Sequence, residues 1–239
     1  MRELHYGTSL IRYELIFEAR KTLRIEVHPD ASVWVKAPIG TDDNQLAERL
    51  ARRAGWITKQ QRFFSELPLP PAKKNYVSGE AFRYLGRQHR LKVAEGGPER
   101  VLRQGGRIEV WVLSCYDEAR VKSRVDGWFR KQAQRLFAER LHVCLERFSG
   151  ADRASLETKA LLLTLRSMKG RWGSCTITGR ILLNPALIQA PVLCIDYVLT
   201  HELTHLLQHN HGPEFYKLLT SAMPDWPQRK KQLETSRWD

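Results

Sequence analysis

The sequence predicts an α+β protein: a mixed, β-rich N-terminal domain over residues 1–115, then a largely helical domain over 116–239 with a β-hairpin beside a histidine-bearing helix. Three observations carry this. Short stretches of alternating or β-branched character, separated by Gly- and Pro-containing turns, fill the chain up to residue 113. Apolar residues then recur at helical intervals from Asp117 to Phe148. Last, a helical stretch holds four of the chain's eight histidines between positions 201 and 211.

The elements follow in order. LIRYELIF, LRIEVHP and SVWVKAP, within residues 9–37, read as strands, with Pro29-Asp30 as a turn signal. TDDNQLAERLARRAGWITKQQRFFSEL reads as a helix capped by Thr41 or Asp42, with Leu46, Leu50, Ile57 and Phe64 at helical intervals and PLPPAK as its stop. FRYLGRQHRLKV and RIEVWVL are two further strand candidates. In the long helix, Val121, Val125, Trp128, Phe137, Leu141, Cys144 and Leu145 form the apolar stripe, and Arg124, Lys131 and Arg135 lie on another side as a solvated face. SGADRAS, from Ser149 to Ser155, reads as a loop. A strand from Ala160 runs through LLLTLRS into RWGSC, TITG turns, and RILLN returns as a hairpin. Pro191 suits the first turn of the next helix. No internal repeat or low-complexity tract is evident.

Composition narrows the function classes. Hydrophobic residues make up 42% of 239, which excludes a disordered chain. No apolar run approaches the ~20 residues that span a bilayer, so no membrane partner is expected. The start, MRELHYGTSLIRYELIFEAR, is charged throughout and is not a signal peptide, so a cytoplasmic protein is the simplest reading. Cys115, Cys144, Cys175 and Cys194 form no C-x-x-C pair, which argues against a cysteine-built zinc site and for buried reduced thiols. Of the net charge of +13, +10 falls in residues 1–150, away from the histidine cluster. That excess suits either a soluble surface or a polyanionic partner, nucleic acid or nucleotide, on the N-terminal part.

H-E-L-T-H, residues 201–205, places His201 and His205 four apart. In a helix they lie ~40° apart around the axis and ~6 Å along it, so both imidazoles can grip one ion. Glu202 lies ~100° round from His201; it cannot share the ligand row but can reach a water on the ion. Catalytic zinc usually takes three protein ligands and keeps a fourth position for water. His209, His211 and Glu214 are the candidates for the third. His209 would sit ~12 Å along the axis from His201, too far for a shared ion. Gly212-Pro213 breaks the helix, and Asn210 could cap it in a left-handed conformation, letting the chain fold His211 back. Glu214 could reach the ion from the next helix. His211 is the favoured choice and Glu214 the alternative. Glu202 is then a general base, and Tyr197, one turn before His201, is a candidate donor to a developing oxyanion or else a core residue.

Four stretches in order, SMKGRWGSCT (167–176), ILLNPAL (181–187), DYVLTHELTHL (196–206) and NHGPEF (210–215), resemble the YgjP-like family of metal-dependent hydrolases within the zincin metallopeptidases. The C-terminal half is also similar to SprT-type and WLM domains. The resemblance is strong over 160–235 and weaker toward the N-terminus, at RKTLRIEV, VWVKAP and VSGEAFRYLG. It implies one Zn²⁺ on His201, His205 and His211 with Glu202 as base, and RWGSC as a strand beside the helix where substrate binds. Arg171, Trp172 and Ser174 are then the substrate-binding candidates; core packing by Trp172 and Cys175 and close approach at Gly173 are the competing roles. Gly212 and Tyr216 depart from the residues many relatives carry. The expected activity is peptide or protein hydrolysis. Hydrolysis of a nucleotide phosphoanhydride or phosphoester on the same site is the alternative, and a non-enzymatic nucleic-acid-associated zinc protein a third reading.

Overall fold

The computed structural model describes residues 2–7, 9–28, 31–66, 74–168 and 171–235. The Pro29-Asp30 turn, the side chain of Phe64, the PLPPAK stop and Lys169 lie outside the described residues. Two compact units make up the chain, 1–70 and 71–239, rather than a division at 115/116.

The first unit is a four-stranded sheet and one helix. β1 (Arg2–Tyr6), β2 (Ser9–Glu18), β3 (Arg24–Val27) and β4 (Val33–Pro38) lie in the order β1-β2-β4-β3, so β3 is an edge strand. α1 (Asp43–Glu66) comes next, and Asp42 caps it by accepting from the Asn44 and Gln45 amides. Leu46, Leu50, Ala54 and Ile57 form the helix's buried stripe. They close over Ile11, Tyr13, Val33, Val35 and Ala37, the inward faces of β2 and β4.

In the second unit, β5 (Ala81–Tyr84), β6 (Arg87–Glu95), β7 (Arg100–Gln104) and β8 (Arg107–Val112) lie in the order β5-β6-β8-β7, and α2 (Glu118–Leu145) succeeds them with Asp117 as its cap. FRYLGRQHRLKV is therefore two strands and a tight turn. The sheet repeats the connectivity of the first one. In both, the successive neighbours pair antiparallel, parallel and antiparallel, and a helix comes next. This duplication is one of topology, and the expectation of no internal repeat is corrected to that extent.

The second sheet belongs with the C-terminal helices for two reasons. Phe82 and Tyr84 of β5 pack against Trp128 and Phe129 of α2. The β5–β6 turn also donates from Leu85 N to Ile188 O at 2.9 Å and from Gly86 N to Gln189 O at 2.8 Å. Gly86 has φ +81°, and a Cβ there would stand 2.8 Å from Pro191 Cγ, so only glycine allows the turn to seat on the start of the next helix. A boundary after residue 115 would cut through this contact.

SGADRAS is not a loop: α3 (Gly150–Glu157) occupies it, burying Leu156. β9 (Leu162–Leu165) and β10 (Gly173–Cys175) are separate strands rather than one, and β11 (Arg180–Leu183) lies between them, antiparallel to β10 and parallel to β9. A 3-10 turn (Pro185–Gln189) leads to α4 (Val192–Leu207), then α5 (Pro213–Ala222) and α6 (Trp226–Thr235). α4 is buried on nearly every side, among α2, α3, α5, α6 and β10. A helix buried on nearly every side belongs in the centre of its domain, and the polar groups it carries must find partners there. No helix among the described residues is long and apolar enough to cross a membrane.

Candidate metal centre

α4 carries one charged anchor into the core. Asp196 is 1% exposed, and it accepts from Arg140 Nε and Nη2 at 2.8 and 2.7 Å and from Arg147 Nη2 at 3.3 Å, with Arg229 Nη1 3.8 Å away. Arg140 lies on α2, Arg147 just beyond its end and Arg229 on α6, so the bridge fixes α4 between both helices. A carboxylate buried this deeply needs such partners.

One turn and a half further on, His201 and His205 project together. Their Nε2 atoms are 3.1 Å apart, and His211 Nε2 is 3.2 Å from that of His201. Nitrogens bound tetrahedrally at zinc distances stand about 3.3 Å apart, so the three imidazoles fit one ion. Among the described residues these three histidines are the cluster able to hold a metal; His209 and Glu214 stand outside it, and Glu214 faces Lys217 instead.

The turn that delivers His211 differs in detail from expectation. α4 ends at Leu207 because Gln208 is extended (φ −136°, ψ 108°), and Asn210 does not adopt a left-handed conformation. Gly212 N donates to Asn210 O at 2.7 Å, a tight bend with His211 at its centre. Gly212 is extended, as a residue before proline should be, and Pro213 opens α5. Two residues later Phe215, fully buried, packs against all three imidazoles, with ring centroids 5.0, 4.5 and 4.7 Å from His201, His205 and His211.

Electrostatics keep the rings in ligating form. Burial and the neighbouring imidazoles push His201 down to about 3; burial and His211 lower His205 as well. Both are neutral at neutral pH, so a metal need not displace their protons. The backbone at Gln208 and His209 opposes the lowering of His205.

Glu202 is 6% exposed, on the flank of α4 that faces β10. Burial raises its carboxyl to about 7, against the opposing pull of the Cys175 thiol and the Arg171 guanidinium. Gly173 lies directly against it: a Cβ there would meet Glu202 Oε1 at 2.6 Å and its Cδ and Cγ at 3.0 Å. Side chains alternate along a strand, so Gly173 and Cys175 share the face toward Glu202 and Ser174 takes the other. Trp172 packs on the core, Arg171 is exposed, and Tyr197 is buried, edge-on to His201 at 5.8 Å and parallel to Trp226. Sequence reasoning passed over Cys175 and Phe215 as participants. The period-2 pattern of R-W-G-S-C could have flagged Cys175; nothing local marks Phe215.

Gly173→Ala should therefore act on Glu202 and spare the three imidazoles. The added methyl must displace the whole carboxylate rather than its tip. We expect hydrolysis to fall on the order of 10²-fold, the usual effect of misplacing a reacting group by ~1 Å, with metal content unchanged by elemental analysis. Loss of metal in this variant would contradict the assignment.

A three-imidazole cup at the end of a buried helix, with a carboxyl held at its side, suits a metal ion, and the family that the sequence matches makes the chain a metal-dependent hydrolase of the metallopeptidase class. The family described as YgjP-like, metallopeptidase domain, matches residues 21–236, and the chain belongs to it. A divalent metal and a protein or peptide substrate come with that family. The crystal structure of the metallopeptidase zymogen of Pyrococcus abyssi abylysin is similar at 21% identity, over 40% of this chain and 92% of that one, with a TM-score of 0.34. No curated protein matches.

Proposed function

We propose that this chain is a zinc-dependent peptidase in which His201, His205 and His211 hold one ion and Glu202 is the general base. The carrying observation is the joint placement of the three Nε2 atoms and the buried Glu202 beside the edge strand β10. Zinc held there supplies Lewis acidity toward a carbonyl oxygen and toward the attacking water. Glu202 takes that water's proton and passes it to the departing amine, a role suited to a carboxyl poised near neutrality.

β10 supports the choice of substrate. It is an edge of the β10-β11-β9 sheet, so its outer backbone groups are available to an extended peptide. The outward backbone groups are those of Gly173 and Cys175, because Trp172 O accepts from Asn184 N and Thr176 N donates to Arg180 O on the β11 side. Trp172 and Ser174 would position the strand, and Arg171, which is exposed, would meet a carboxylate on the substrate. Tyr197 is the candidate donor to the oxyanion. A purely structural zinc has no use for a base or a fourth open position, which disfavours a non-enzymatic role. Phosphoanhydride hydrolysis has one observation in its favour, the Arg171 cation felt at Glu202.

The test is hydrolysis of a mixed peptide library and of nucleoside triphosphates by the same preparation, before chelation, after it, and after zinc is restored. Peptide cleavage should disappear with the metal and return at one zinc per chain. Zinc-dependent triphosphate turnover without peptide cleavage would replace this reading with the phosphoanhydride one.

A further inference from the structure

The first unit has a surface that the metal centre does not use. From Arg49 to Ser65 of α1 the chain holds five Lys and Arg and no acid. Arg49, Arg52, Arg53 and Trp56 stand at i, i+3, i+4 and i+7, so they share one side of the helix, next to the buried stripe of Leu46, Leu50 and Ala54. That side does not face empty solvent. It forms a wall of a groove of about 580 Å³, whose opposite wall is β3 and the residues entering it, with Leu23 and Ile25 half-buried and Arg24 at the rim. β3 is the sheet edge here.

Charge in the groove is one-sided. Arg24 is paired with Glu26 at 2.9 Å and Arg52 with Glu48 at 2.5 Å. Among the described residues Arg49 and Arg53 have no ion-pair partner, and both are exposed. Trp56, 43% exposed, lies in the midst of these guanidinium groups. An ordinary solvated helix face intersperses acids at i+4.

We infer that this groove binds single-stranded nucleic acid, with Arg49 and Arg53 on phosphates and Trp56 stacked on a base. Guanidinium groups suit phosphate oxygens geometrically. A flat aromatic among cations is the arrangement that holds unpaired bases, whereas a duplex keeps its base faces covered. An acidic peptide would use the charges but has no planar group for the indole. The inference stands apart from the peptidase reading, since no metal ligand or Glu202 enters it.

The experiment is fluorescence anisotropy of a labelled oligothymidylate of about 12 nucleotides with the full chain, metal-loaded and metal-free, over a range of salt. Binding should be equal in both metal states. Arg49→Glu with Arg53→Glu should weaken it at least tenfold and shorten the log–log salt slope by about 1.4, or about 0.7 per lost phosphate contact on a single strand. Trp56→Ala should weaken it ~5- to 150-fold and Trp56→Phe much less, with circular dichroism showing that each variant is folded. Absence of binding by the wild type would overturn the inference. So would indifference to the charge reversals, full retention of affinity in Trp56→Ala, or equal competition by poly-glutamate.

Discussion

Glu202→Gln should leave zinc bound and reduce peptide hydrolysis by ~10²–10⁴-fold, the range lost when a general base is removed. The amide nearly matches the carboxyl in size and keeps the contact with Gly173, so the packing of β10 on α4 is preserved. The three imidazoles do not depend on it. What goes is the group that accepts a proton. Metal content by elemental analysis and initial rates on the best peptide decide the matter; turnover within a few-fold of wild type would remove Glu202 from the chemistry. A second readout needs no substrate. In the metal-free protein, burial holds the Glu202 carboxyl near 7, above its ordinary value of 4.5. The folded state therefore keeps a proton that the unfolded chain has released. Its contribution to stability is complete below pH 4.5 and is lost as the pH rises through 7. The glutamine has no such loss. Metal-free Glu202→Gln should gain in Tm relative to metal-free wild type across that interval, and parallel Tm curves would mean the carboxyl is not buried as described.

Features are legible in the sequence to the extent that their causes are local. H-E-L-T-H works at a spacing fixed by helix geometry, so the pairing of two imidazoles on one side of the helix, with a glutamate flanking them, was legible at once. The break before Pro213 pointed to His211 as the third imidazole of the cluster, although the turn is built by an extended Gln208 and not by Asn210. Asp42, one of two cap candidates, announced its helix by capping chemistry. Other features depend on partners distant in the chain. β1 and β7 are mostly exposed edge strands with weak alternation, and α3 buries only Leu156, so neither pattern stood out. The unit boundary was displaced for the same reason. β5–β8 look like a continuation of the first sheet in composition, yet Phe82 and Tyr84 bury themselves against α2. Gly173 could be named as a close-packing glycine, but only the fold shows that what it approaches is Glu202.

Phe215→Ala should lower stability by about 3–5 kcal/mol and weaken zinc binding at least tenfold, although Phe215 offers the ion no ligand. The ring is the common floor of the site. It meets His201 and His211 edge to face, at 69° and 75°, and His205 at 39°. Such pairs contribute about 0.5–1.5 kcal/mol each beyond the area they bury, and here they also set where the imidazoles point. The dependence is greatest for His211, which is exposed and sits in a bend outside any helix. Its position is inherited from α5, and α5 is anchored by Phe215 and Leu219, both fully buried. Removing the ring leaves a cavity beneath the cup and frees the one imidazole of the three not mounted on α4. Phe215→Leu separates the two effects: it refills much of the volume, so stability should largely return, while zinc affinity should stay depressed because an aliphatic chain orients no ring. Urea unfolding of the metal-free variants gives the first quantity, and competition with a chromophoric chelator gives the second. Wild-type zinc affinity in Phe215→Leu would mean that volume alone is required, and that the imidazoles are directed by α4 and the bend without the aromatic floor.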